Sequence, residues 1–246
     1  MKKAVVIGGS SGLGLAISKK LIELGYYLEV CSRSCPEEGI LNIKYYHHNY
    51  CDLLNFDEKL FESLASDSEV ELLMVTAGIG RVADFKAHHL AEIDKIFTVD
   101  TLSTIKIFRI FYDRILSKDP FYAGVIGSVS GWMSTPAAAV YAAAKAGVIR
   151  FVESVNIELE VAGTENRILD VSPASFKGSR FYGGNNDLSI IGPLANDIVD
   201  HLFKRDTLFI PQYEEILKNV FERYHNDPHE YGLNSYQYKK DSGRLD

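Results

Sequence analysis

Long apolar runs are missing from this 246-residue sequence. No stretch reaches the length of about 18 unbroken apolar residues that a membrane-spanning helix needs. The N-terminus reads as entering a strand at once, which argues against a signal peptide. Clustered basic residues are missing too. The formal net charge is −7 and the isoelectric point is near 5.5, so nucleic acid and anionic membranes are poor partners. Cysteine is scarce. Cys31, Cys35 and Cys51 are odd in number and match no metal-ligand spacing. They are expected as buried or free thiols in a reducing, cytoplasmic compartment. Histidine supplies no ligand set, because His47-His48 and His88-His89 are adjacent pairs rather than neighbours on one helix face. No metal is expected.

What is present is enough apolar material for a core, 46% of the chain. The length fits one large domain. Strands are expected over 3–7, 26–32, 42–49, 70–75, 122–126 and 166–171, with a short one at 208–210. Helices are expected over 13–24, 57–66, 90–116, 141–162, 194–203 and 213–224. Alternation of nearly all-apolar strands with helices predicts an α/β fold, a doubly wound parallel sheet covered by helices on both faces. Ligands then bind beyond the carboxyl ends of the strands, where Gly14, Arg33, Asp52, Gly78, Ser128 and Pro173 fall. The domain is expected over 1–225. The polar, glycine-containing stretch 175–193 reads as a candidate lid. The tail 226–246 is either disordered or laid over a surface, a subunit interface included, and its polar composition favours disorder.

Two segments carry chemistry. The apolar run Lys3–Ile7 breaks into Gly8-Gly9-Ser10-Ser11-Gly12-Leu13-Gly14 and then a helix. Strand, glycine turn and helix together cradle a pyrophosphate at a helix N-terminus, although a glycine-rich turn is often only a turn. Further on, Tyr141 and Lys145 sit one helical turn apart, so phenol and ammonium project from the same face. A phenol with an ordinary pKa of about 10 is a poor acid–base group near neutrality, and a neighbouring cation lowers that value. Ser128 can hold the oxygen that takes the proton. The three form a site for moving a proton onto or off a carbonyl or alcohol oxygen.

These segments resemble the short-chain dehydrogenase/reductase family over roughly residues 1–178. The glycine turn looks like the family's cofactor motif, with Ile7 where threonine is usual. Ser128, Tyr141 and Lys145 match its catalytic serine and Y-x-x-x-K pair, at the family's thirteen-residue step. The resemblance implies a single-domain Rossmann fold, a nicotinamide cofactor, and homodimers or homotetramers. It departs at Val75-Thr76-Ala77-Gly78, which keeps only half of N-N-A-G. It departs again at Asp100, which stands in place of a catalytic asparagine. Aspartate adds negative charge near Lys145, which either raises the pKa of Tyr141 and slows catalysis near neutrality or leaves the asparagine's relay adequately replaced. Pro173-Ala174 replaces P-G, and Gly178 replaces a threonine that holds the carboxamide, for which Ser175 or Ser179 is a substitute.

The roles implied are a hydrogen bond from Ser128 to the substrate oxygen, proton donation by Tyr141, and a lowered tyrosine pKa with ribose contact from Lys145. Gly8, Ser10, Ser11, Gly12, Leu13, Gly14, Ala77, Gly78, Pro173 and Ser175 join them around the cofactor. By resemblance, Asp52 caps the adenine edge with Leu53 beneath the ring. Ser32 followed by Arg33, rather than an acidic residue, suits a 2′-phosphate, so NADP(H) is expected over NAD(H). Trp132, Met133, Phe176, Phe181 and Tyr182 are candidates for an apolar pocket or for ordinary packing. The expected activity is NADPH-dependent reduction of a small or medium-sized ketone rather than a carrier-bound acyl chain. Two alternatives stay open: a non-catalytic nucleotide-binding partner subunit, and a dehydratase or isomerase using Asp84, His88 or His89.

Overall fold

Seven parallel strands form one sheet in the order β3-β2-β1-β4-β5-β6-β7. The computed structural model describes residues 1–176, 178 and 186–245. The strands are β1 (Lys3–Ile7), β2 (Tyr27–Ser32), β3 (Tyr46–Tyr50), β4 (Val70–Val75), β5 (Tyr122–Ile126), β6 (Ile168–Val171) and β7 (Leu208–Phe209). The helices are α1 (Gly12–Glu23), α2 (Glu58–Ser66), α3 (Leu90–Phe97), α4 (Ser103–Leu116), α5 (Ala139–Val161), α6 (Leu188–Phe203), α7 (Lys218–Asn226) and α8 (Pro228–Asp241).

Strand period two divides the core between the two faces. Val5, Ile7, Leu73, Val75, Ala123 and Val125 point to one side, where Phe61 of α2, Phe108 and Phe111 of α4 and Val148 and Val152 of α5 bury them. Ala4, Val6, Leu72, Met74, Leu169 and Val171 point to the other, against Ile17 and Leu21 of α1 and Ile198 and Leu202 of α6. The doubly wound parallel sheet expected from the sequence is the observed architecture. No helix of the described residues is long and apolar enough to cross a membrane.

Several boundaries differ from expectation, each for a physical reason. The single helix expected over 90–116 is broken by a π-helical segment, Thr98–Leu102. The hydroxyls of Ser103 and Thr104 donate to the carbonyls of Val99 and Asp100 at 2.7 and 2.9 Å, four-residue back-bonds of the kind that bend helices. Helix α6 begins before Pro193, not after it. Asp187 caps it by accepting from Ser189 N at 3.0 Å, and that cap outweighs the proline. Of the candidate lid, Ser179, Phe181 and Tyr182 lie outside the described residues.

The tail forms α8. Asp227 accepts from Glu230 N at 2.8 Å, Pro228 opens the first turn, and Lys239 and Lys240 sit in the last, an arrangement that matches the helix dipole at both ends. The helix packs on its own chain. Tyr236 Oη donates to Asp84 Oδ1 at 2.7 Å, and Lys239 Nζ donates to the Pro136 carbonyl.

One buried amide joins α4 to β5. Asn166, 1% exposed, accepts from Phe121 N at 2.9 Å and donates to the carbonyls of Ile115, Ser117 and Asp119 at 3.1, 3.0 and 2.9 Å. Asn166→Ala strands these groups without partners. It is expected to lower unfolding free energy by about 2–3 kcal/mol, read from urea denaturation. A loss under about 0.5 kcal/mol would show that the amide is dispensable.

Candidate active site

The carboxyl ends of β1, β4 and β5 meet around the glycine turn. Gly8 has φ +85°, and a Cβ there would lie 2.7 Å from Ala77 N. A Cβ on Gly14 would overlap the Gly8 carbonyl and Thr76 Oγ1. Helix and strand therefore approach more closely than any larger residue permits. Thr76, which departs from the family pattern, has a clear place. Its backbone N–H and its hydroxyl both donate to the Ile7 carbonyl at 2.8 Å, locking the end of β4 onto the end of β1.

A cleft of about 560 Å³ runs from this turn to Tyr141. Its wall includes Gly8, Ser10, Ser11, Gly12, Leu13 and Gly14, then Arg33, Asp52, Leu53, Ala77 and Gly78, and finally Ser128, Tyr141, Lys145 and Pro173. Phe176 also lines it. The predicted residues thus come together, with exceptions. Ser175 is exposed and outside the cleft wall. Trp132 faces a second groove, with Phe209, Ile210 and Phe221. The Asp52 carboxylate turns back to accept from Leu54 N and the Asn55 amide at 3.2 and 2.8 Å. Asp84 accepts from Tyr236, His88 pairs with Glu92 at 2.9 Å, and neither these residues nor His89 lines the cleft. Lys95 does line it and escaped the sequence reading. It lies one helical turn before Val99, another wall residue, and that spacing was the available signal.

Lys145 is 3% exposed. Its ammonium donates to the Ile126 carbonyl at 2.9 Å and stands 3.4 Å from Asp100 Oδ2. Asp100 sits in the π-helical segment at 1% exposure, and its Oδ1 accepts from Ile79 N at 2.8 Å. Burial raises its pKa while Lys145 and the Ile79 amide oppose the rise. Gly78 adjoins the pair, since a Cβ there would lie 3.3 Å from Lys145 Nζ and 3.4 Å from Asp100 Oδ2.

Tyr141 and Lys145 share a helix face, with the ammonium 5.8 Å from the ring centroid. The expected lowering of the phenol pKa by Lys145 needs correcting. Burial and the Asp100 charge hold Tyr141 well above its ordinary value, and only a hydrogen bond with Ser128 works the other way. The ammonium instead answers Asp100 and the Ile126 carbonyl. The expected upward pressure from Asp100 is present.

The glycine cradle, the cleft and the amide-rich start of α1 fit a dinucleotide. A short chain dehydrogenase family model matches residues 2–181. An uncharacterized oxidoreductase of Saccharomyces cerevisiae, TDA5, is 28% identical over 198 residues, 78% of this chain and 60% of that protein. This chain therefore spans well under two thirds of that relative's length. The 3-oxoacyl-[acyl-carrier-protein] reductase FabG of Salmonella typhimurium is 30% identical over 170 residues, covering 66% of this chain and 69% of that protein. Among solved structures, a short-chain dehydrogenase from Streptomyces avermitilis superposes with a TM-score of 0.73 at 17% identity, covering 97% of this chain and 100% of that one. One from Sphingobium yanoikuyae in complex with NADPH superposes with a TM-score of 0.71 at 18% identity, covering 92% and 96%. The match along residues 2–181, on a fold and cleft of this form, establishes that the chain belongs to the short-chain dehydrogenase family of oxidoreductases.

Proposed function

We propose that this protein is an NADPH-dependent reductase of small or medium-sized ketones, with Ser128, Tyr141 and Lys145 as its catalytic residues. The observation that carries this reading is a single cleft holding the glycine turn and Arg33 at one end and the three side chains at the other. A bound nicotinamide supplies hydride to the carbonyl carbon. The chain supplies everything else. Ser128 donates to the carbonyl oxygen, and Tyr141 protonates that oxygen as negative charge develops there. Lys145 holds the ribose side of the cofactor and balances Asp100. Positioning of the two reactants in one cleft contributes much of the rate.

Arg33 is exposed at the cleft, and a guanidinium beside Ser32 and Ser34 favours a 2′-phosphate. The NADPH complex of the Sphingobium protein and an NADP complex from Burkholderia cenocepacia support the same choice. A homodimer or homotetramer belongs to this proposal, supported by Ile157 and Val161, which α5 leaves 60% and 84% exposed. A cytoplasmic location belongs to it as well.

Tyr141→Phe is expected to cut kcat by about 10²–10⁴-fold while the NADPH dissociation constant changes little. Turnover that survives this change removes Tyr141 from the chemistry. NADPH binding without turnover of any ketone by the wild-type protein would favour the partner-subunit alternative.

Arg33→Ala is expected to weaken NADPH binding by about 10–100-fold and to leave NADH binding nearly unchanged. Equal wild-type dissociation constants for the two cofactors would remove Arg33 from cofactor choice.

Asp100→Asn keeps an acceptor for Ile79 N and removes the charge that raises the Tyr141 pKa. A lower phenol pKa loses the proton sooner as pH rises. The alkaline limb of the reduction profile is therefore expected to move down by about one pH unit, and the rising limb of alcohol oxidation to move with it. Unshifted profiles would show that Asp100 does not act on Tyr141.

A further inference from the structure

A second carboxylate lies buried behind the catalytic serine. Asp170 is 3% exposed on β6. It shares a sheet face with Ile168, which packs toward α5. Its two oxygens lie 3.1 Å from Ser172 Oγ, which donates to them. Ser172 Oγ in turn accepts from Trp132 Nε1 at 3.0 Å. The Ser172 hydroxyl proton goes to Asp170, which leaves a lone pair on Ser172 Oγ for the indole.

Trp132 closes the turn that Ser128 opens. Ser128 caps the 3₁₀ segment Val129–Gly131 by accepting from Ser130 N at 3.1 Å, and Trp132 N donates back to the Val129 carbonyl at 3.1 Å. The turn presses on α5, where a Cβ on Gly131 would lie 2.8 Å from Ala146 N. Backbone bonds hold its entry: Gly127 N donates to the Val171 carbonyl at 2.7 Å and Val129 N to the Pro173 carbonyl at 3.2 Å. Its exit is held by Gly131 N donating to the Ser128 carbonyl at 2.9 Å, by Thr135 Oγ1 donating to the Ser130 carbonyl at 3.4 Å, and by the indole, which alone among these ties it to the end of β6. Gly127, next to Ser128, completes the arrangement, since any side chain there would collide with Asp170 Oδ1 and Ser172 Oγ.

We propose that Asp170, Ser172 and Trp132 form a positioning chain that holds the Ser128 turn, so that Asp170 governs turnover without touching substrate. This rests on Ser128 acting on the substrate oxygen. The charged groups around the chain are Lys145 and Arg150 of α5, the latter 5.4 Å over the Trp132 ring, and Lys218, Glu222 and His225 across the groove. Burial holds the Asp170 carboxyl up at about 6, against the Ser172 hydrogen bond and the Lys145 charge. Above that pH the chain ends on a charged acceptor; below it the carboxyl keeps a neutral oxygen for Ser172 but loses the charge that strengthens the hydrogen bond.

Trp132 is the sole tryptophan, so its emission reports the chain directly in the full-length protein. Ser172→Ala is expected to shift that emission and to lower kcat about tenfold, with KM and NADPH affinity changed by less than about twofold. The assay ketone is the fastest member of an aliphatic panel. Asp170→Asn keeps an acceptor for Ser172 without the charge, so it is expected to keep kcat within about twofold at pH 8 and to show at every pH the emission of the acidic wild type, whereas Asp170→Ala behaves like Ser172→Ala. Wild-type emission is expected to titrate near pH 6, and Asp170→Asn to abolish that transition. Unchanged emission and kcat in Ser172→Ala overturn the proposal. So does a loss that tracks only the folded fraction by circular dichroism. Should Ser128→Ala retain full turnover, the catalytic reading itself fails. The emission result still stands on its own in that case, so the two failures are separable.

Discussion

A buried ammonium organises this site. Lys145 has almost no contact with water, and a cation in that position persists only with partners that replace its hydration. It finds two, the Ile126 carbonyl from the end of β5 and Asp100 from the π-helical segment. Those partners come from different parts of the chain, so the ion pair fixes the spacing between α5, the end of β5 and the α3–α4 bend. Gly78 lies against the pair, and a Cβ there would press on Lys145 Nζ at 3.3 Å. Thr101 adds a second tie, donating to the Ala144 carbonyl at 2.8 Å one residue before Lys145.

Much of this was legible in the sequence, and what was legible is local. The glycine turn, the four-residue step from Tyr141 to Lys145 and the apolar strands are patterns within a few residues, set by backbone geometry. They placed the cleft at the carboxyl edge of the sheet before any coordinates. The charge of Asp100 was also readable, because a single side-chain identity carries it. The unreadable parts join distant segments. Asp170 and Gly127 make one arrangement, but nothing in either neighbourhood announces the other. Lys145 was expected to act on the nearest phenol. The fold instead supplied a carboxylate and a carbonyl that engage it more closely. Helix α8 was misjudged on composition, although the Asp227-Pro228 start and the Glu230 first turn are local helix signals.

The two buried carboxylates differ in what they do to the reacting groups. Asp100 faces Lys145 and raises the pKa of Tyr141. Asp170 adjoins Gly127, next to Ser128, and accepts from Ser172, which accepts from Trp132 outside the cleft wall. In the proposed mechanism the first would set the proton affinity of the acid, and the second would hold the turn that carries the Ser128 hydroxyl. This division needs the bend at Thr98–Leu102 and the missing side chain at residue 127, and the sequence supplies both.

A tyrosine held above its ordinary pKa keeps its proton throughout the neutral range. On the mechanism proposed for this site, alcohol oxidation would require the residue first to lose that proton, and every unit of elevation thins the phenolate population tenfold. In carbonyl reduction the protonated form is the reactive one and is already present in full. The elevated value also costs driving force for donation, but that cost is offset as the substrate oxygen gains negative charge from the incoming hydride and becomes the stronger base. On the proposed mechanism, burial and the Asp100 charge keep Tyr141 in the form that reduction would use near neutrality. The preference for the phosphorylated cofactor proposed from Arg33, at the far end of the cleft, would point the same way. The two features lie at opposite ends of one cavity and arise from unrelated segments, so their agreement in direction is a property of the folded chain as a whole.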